Sequence, residues 1–223
     1  MTTTATEIKE RPILFSTPMV QAIVDGTKTQ TRRVVKHGLS DSTMSKPDIK
    51  ASITDNGQMV HFKVVDGKLR ESFCGIKCPY GQIGDRLWVR EAWDYSDSLE
   101  EPYLYRQKEM EEWLPEVFNR MKWKPSIHMP KEACRIKLEI PNIRVERLHD
   151  ITEEDAIAEG VLWVDAVPGG FSGWKDYSGK NLAPLESAKV SFKTLWISIN
   201  GKESWDANPW VWVVDFKKTD QSN

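Results

Sequence analysis

The stretch Val24 to Val35, VDGTKTQTRRVV, is where a helical pattern stops and an extended one starts, and its reading sets the fold to expect. Just upstream, Ser16 or Thr17 can cap a helix, and Pro18 suits the first turn because its missing N–H has no partner there anyway. Met19, Ala22 and Ile23 then recur at helical spacing. Asp25-Gly26 ends the helix, since glycine tolerates the left-handed stop. Beyond the turn the chain runs into Arg32 to Val35 as a strand, with Arg32 and Arg33 on opposite faces. Lys28 and Thr31 are three apart, so they share a side only if the chain curls between them.

Working outward, the remaining chain is mostly strands. ILF at 13–15 is a short apolar run, and MVHFKVV at 59–65 alternates and is followed by a hairpin-type turn at Asp66 to Lys68. CPYGQIGD approaches RLWVREAW at 86–93, a strand that would set Leu87, Val89, Glu91 and Trp93 on one face and Trp88, Arg90 and Ala92 on the other. CRIKLEI and IRVERL read as two strands joined by a turn at Pro141-Asn142. WVWVVDF at 210–216 is apolar on both faces, as a covered central strand would be.

Helices are fewer. ITEEDAIAEG at 151–160 has a threonine cap, acids in the first turn and a terminating glycine. One helix is expected around Glu109 to Met121, and another within Leu185 to Ile199 with Ala188, Phe192, Leu195, Trp196 and Ile199 inward. His37 to Gly57 reads as a polar mobile loop, and 167–180 as a Gly-rich loop or lid. Strands without regular βαβ alternation predict an α+β, barrel-like domain with loop insertions. A single domain is expected over 11–218, with insertions near 37–59, 97–125 and 164–182 and tails at 1–10 and 219–223.

The chain has 223 residues and a net charge of −2, so a generally basic nucleic-acid binder is excluded, although a local basic patch is not. No apolar run approaches the roughly 20 residues that span a bilayer, and the start lacks a signal-peptide core. A cytoplasmic protein with no membrane partner is expected. Cys74 and Cys78, spaced CxxxC, could join His128 and Cys134 around zinc, but neither half has a well-attested ligand spacing, and no metal is expected.

The chemistry-bearing candidates are few. A threonine hydroxyl needs a base to become a nucleophile, and a lysine of lowered pKa can be that base. A bland polar turn explains an arbitrary K-x-x-T better. Glu91 adds weight, because a carboxylate among Leu87, Val89 and Trp93 must be paired or protonated; its alternative is a buried salt bridge with Lys28 or an arginine. Arg32 or Arg33 could hold a carboxylate or phosphate, and Arg90 is a further substrate contact. Most of the 10 tryptophans read as core, with Trp93 able to stack on a base. WKPSIHMP places Ser126 and His128 on one side of an extended segment, His128 being a proton carrier or an ordinary loop histidine.

AIVDGTKTQTRRV at 22–34 resembles the opening motif of the ASCH domains of the PUA-like superfamily, and IGDRLWVREAW at 83–93 is similar to their second motif. The resemblance takes in Ile13 to Val35, Gly84 to Trp93, the strands around Ile136 to Leu148 and the helix after Ile151. The full chain also resembles phage and prophage proteins, which would place it in a host cytoplasm. The resemblance implies a PUA-like β-barrel with flanking short helices. It also implies an amide hydrolase on an acylated nucleoside or modified base such as N4-acetylcytidine, with Lys28, Thr31 and Glu91 meeting in one hollow and no cofactor. The alternatives are a non-catalytic module binding RNA or modified DNA, and a metal-independent ribonuclease.

Overall fold

A computed structural model describes residues 7–36, 49–54, 58–65, 68–97, 100–107, 112, 115–166, 170–179 and 183–219. The fold is mixed α+β. Among the described residues the strands are β1 (Glu10–Leu14), β2 (Gln30–Val34), β3 (Ile49–Ile53), β4 (Gln58–Val65), β5 (Lys68–Lys77), β6 (Arg86–Arg90), β7 (Trp93–Tyr95), β8 (Tyr103–Tyr105), β9 (Lys137–Arg147), β10 (Trp163–Val164), β11 (Gly173–Trp174) and β12 (Trp210–Lys218). The helices are α1 (Thr17–Val24), α2 (Pro115–Arg120), α3 (Glu153–Ala158), α4 (Ala188–Asn200) and α5 (Lys202–Asp206).

The central sheet runs β1-β6-β9-β12-β2, with β1 parallel to β6 and the other pairs antiparallel. It is open: β1 and β2 are its edges, so these strands do not close into the expected barrel. β12 explains how both faces are covered. Trp210, Trp212, Val214 and Phe216 alternate onto one face with Ile13, Ile23, Leu87 and Leu138, while Val211 and Val213 project to the other against α3 and α4. Each fully buried side chain of this kind contributes about 1.5–3 kcal/mol of transfer free energy. The antiparallel β3-β4-β5 sheet packs over the first face through Met59, Ala51, Ile53 and Ile76.

Several local readings are corrected. The segment taken as a loop over 37–57 contains β3. The turn at Pro141-Asn142 is absent: β9 is one strand, and Pro141 sits where its register against β12 slips between Asp215 and Lys217. A bulge is where a strand tolerates a residue without an N–H. RLWVREAW is not continuous either, because the strand stops at Arg90 and restarts at Trp93, leaving Glu91 and Ala92 in the break. The helix expected over 109–121 is seen from Pro115 to Arg120, while 109–111, 113 and 114 lie outside the described residues, as do Asp66 and Gly67 of the hairpin turn. In α4, Ile199 is 56% exposed rather than inward.

Two connections position the site. α1 starts at Ser16 and stops with Gly26 at φ +75°, as its sequence predicts. The backbone N–H groups of Thr27 and Lys28 then both donate to Ala22 O, and Thr29 N–H donates to Ala158 O at the end of α3. α3 is capped by the Thr152 hydroxyl, which accepts from Asp155 N–H, and it ends at Gly160 with φ +83°. The segment leading into β2 is thereby tied to the C-terminus of α3, and Lys28 and Glu159 form an isolated antiparallel bridge.

Candidate functional site

Lys28 is 2% exposed, and its ammonium is fully engaged. Nζ donates to Gln30 O at 2.8 Å, to Glu159 O at 2.7 Å and to Glu159 Oε2 at 3.0 Å. Burial pushes the Lys28 pKa below its ordinary value; the Glu159 carboxylate opposes that shift, and the charges of Arg33 and Arg32 add to it. Gln30 O belongs to the peptide that links Gln30 to Thr31. Thr31 is 3% exposed; its backbone pairs with Val214 of β12, and its hydroxyl takes part in no hydrogen bond among the described residues.

Behind the lysine lies a charged network. Arg32, with no exposed side-chain surface, donates to the Gln30 side chain, to Glu159 Oε1 at 3.3 Å, to Glu146 at 3.0 Å and to Asp155 at 2.8 Å. Arg144 extends it to Glu146, Asp155 and Asp215. Burial alone would raise the Asp155 pKa, but donors from Gln30, Arg32 and Arg144 outweigh it and hold the carboxyl below its usual range. Buried charges need such partners, since desolving one alone costs several kcal/mol.

Along the outer edge of β2 runs a cavity of about 370 Å³. Thr31, Arg32, Arg33, Lys36 and Glu159 line it together with Tyr80, Phe192 and Trp196. Its size is in the range of small-ligand sites, and its walls combine aromatic rings, cations and one carboxylate.

The other predicted residues lie elsewhere. Glu91 is 1% exposed, and both its oxygens accept from Arg135, from Nε and Nη2 at 2.8 Å each. This is the buried salt bridge with an arginine that the sequence left open. Arg90 donates twice to Met129 O and lies over Trp88. Trp93 packs with Met129 and Ala133 and against Tyr103, and His128 is exposed in a 3-10 helical turn, not an extended segment. Phe15 separates the two groups: its N–H donates to Arg90 O, while its ring lies 5.7 Å from Lys28 Nζ and 5.4 Å from the Arg33 guanidinium. The structure therefore sets Thr31, Arg32, Arg33 and Glu159 along one cavity, and Lys28 joins them through Glu159, with no hydrogen bond to Thr31 among the described residues.

Glu159 escaped the sequence reading because it sits just before the Gly160 stop, where it looks like the end of a helix. Arg135 and Tyr80 carried no signal at all, since their partners are distant in sequence. Of the cysteines, Cys78 is buried and Cys134 half-buried, both free; the side chain of Cys74 lies outside the described residues. Compared with protein-family models, curated proteins and solved structures, the chain matches none.

Proposed function

We propose that the chain is an ASCH-type amide hydrolase acting on an acylated nucleoside or modified nucleobase. The open sheet with β3, β4 and β5 packed across it would be a variant of the PUA-like barrel. The observation that carries the reading is one buried lysine of lowered pKa, held by Glu159, behind a cavity lined by Thr31 and aromatic rings. Burying a lysine is costly, and sites of that kind are where perturbed amines do chemistry.

In this reading Lys28 in its neutral form takes the Thr31 proton as the hydroxyl oxygen attacks the amide carbonyl carbon. The tetrahedral intermediate collapses by breaking the C–N bond, and the Lys28 ammonium returns the proton to the leaving amine. An acyl ester on Thr31 remains. Water then attacks the ester, giving a proton to Lys28, which restores it to the Thr31 oxygen as the carboxylic acid leaves. Glu159 orients the amine and stabilises it when charged. Glu91, expected to protonate the leaving amine, is occupied by Arg135, so in this reading Lys28 supplies that proton and Glu159 is the carboxylate at the site. A tryptophan at the cavity, Trp196, replaces Trp93 as the ring beside the base.

The test is turnover of N4-acylated cytidines by the wild-type chain, Thr31→Val and Glu159→Gln. The reading expects losses of about 100-fold or more in both variants. Wild-type inactivity across the acyl series, or unchanged turnover in Thr31→Val, refutes it.

A second reading has its own observation: Lys28 and Arg32 are neutralised by protein carboxylates, as in a purely structural charge network. The chain would then be a non-catalytic module that binds nucleic acid. Salt-sensitive RNA or DNA binding without any turnover favours it.

A further inference from the structure

We propose that the ligand of the β2-edge cavity carries a phosphate held by Arg33 and Lys36, so that the substrate class is a nucleotide rather than an uncharged nucleoside. This inference rests on the reading of the cavity as the substrate site.

Four cations stand at or behind the cavity, and they fall into two pairs. Lys28 and Arg32 are neutralised by Glu159, Asp155 and Glu146. Arg33 and Lys36 line the cavity and form no ion pair among the described residues. Two cations that form no ion pair among the described residues and face one concavity favour an anion there.

Arg33 is also held in place. Its Nη2 donates to Leu14 O at 2.8 Å, and its guanidinium lies over the Phe15 ring. Its Nε–H is shielded from solvent and has no acceptor among the described residues. A guanidinium already fixed by its own chain loses little freedom on binding, and its fork matches phosphate geometry. Tyr80 and Trp196 supply faces against which a base can stack. Position in the chain links this anion site to the amine: the positive charge of Arg33 is among the influences that lower the Lys28 pKa, and a bound phosphate would counter it.

Calorimetric titration of the full chain at low salt with cytidine, cytidine monophosphate and a short oligocytidylate tests the proposal. The monophosphate should bind about tenfold or more tightly than cytidine. That preference should vanish in Arg33→Gln and shrink in Lys36→Gln, where the side chain is exposed and the fold is not at risk. Equal affinities in the wild type, no binding of the monophosphate, or a preference retained by both variants overturns it. An oligocytidylate bound more tightly than the monophosphate, with a steeper salt dependence, supports the phosphate site and makes a polymer its source. Hydrolysis of acetylcytidine without a phosphate preference removes this inference alone. A phosphate preference without hydrolysis removes the catalytic reading and leaves the phosphate site standing.

Discussion

Replacing Lys28 by methionine isolates the amine from the volume it fills. Methionine keeps the apolar stem but leaves Gln30 O, Glu159 O and Glu159 Oε2 without their donor. Removing one partner of a buried charged pair costs about 3–5 kcal/mol. Glu159 retains Arg32 Nη1 at 3.3 Å, so the lower end, ~3 kcal/mol, is expected. Urea denaturation at pH 7 should show this as a shift in midpoint at constant slope. The double variant Lys28→Met with Glu159→Gln should cost less than the sum of the singles by ~1–3 kcal/mol, because the orphaned carboxylate is gone. The pH dependence supplies an independent check. Lys28 has its folded pKa below the ordinary lysine value, so between the two the unfolded chain binds a proton that the folded chain does not. Wild-type stability should therefore rise with pH across that window, by ~1.4 kcal/mol per unit, with the penalty fully present below it. Lys28→Met should lose this rise. A loss under ~1 kcal/mol, additive singles, or a wild-type stability that falls with pH relative to the variant would refute the reasoning.

Gly160→Ala should cost ~2–4 kcal/mol, since φ is +83° and a new Cβ would lie 2.9 Å from Lys28 Cβ and 3.2 Å from Ala22 Cβ; a midpoint shift near zero in urea would contradict this packing. Glu91→Gln should destabilise by ~2–3 kcal/mol by removing the carboxylate charge that faces Arg135, yet leave turnover of an acylated cytidine within a factor of about three, and a collapse of turnover in the folded variant would return the acid role to Glu91. Burial pushes the Cys78 thiol up to about 11, so mass spectrometry after iodoacetamide treatment of the native chain at pH 8 should find it unmodified; rapid labelling would contradict its burial.

How far the sequence could be read depended on the range of the interactions involved. α1 and α3 were legible with their starts and glycine stops because helix signals lie within a few residues of one another, although only Thr152 of α3 makes the side-chain cap; Ser16 of α1 does not. The same holds for β12, whose apolar residues on both faces announced a covered strand. By contrast, a curl between Lys28 and Thr31 did not follow: Lys28 forms a β-bridge and Gln30 already begins β2. Pro141 misled because proline signals a turn, and only the bulge opposite β12 explains why β9 continues through it. Glu91 misled for a related reason. A carboxylate on an apolar strand face announces that it needs a partner, but not which one, and Arg135 is 44 residues away along the chain.

What the sequence determined by itself was the mixed α+β class, most of the elements, and the presence of a lysine, a threonine and two arginines at one turn. What only the tertiary structure decided was which acid that turn would meet, that the central sheet stays open, and that two of the four cations at the β2 edge are neutralised while two form no ion pair among the described residues. The physical reason is that elements form from neighbours a few residues apart, whereas a buried charge is satisfied by whatever the packed sheet and α3 bring within about 3 Å of it. Lys28 and Glu159 are separated by 131 residues, and no local pattern in either segment refers to the other.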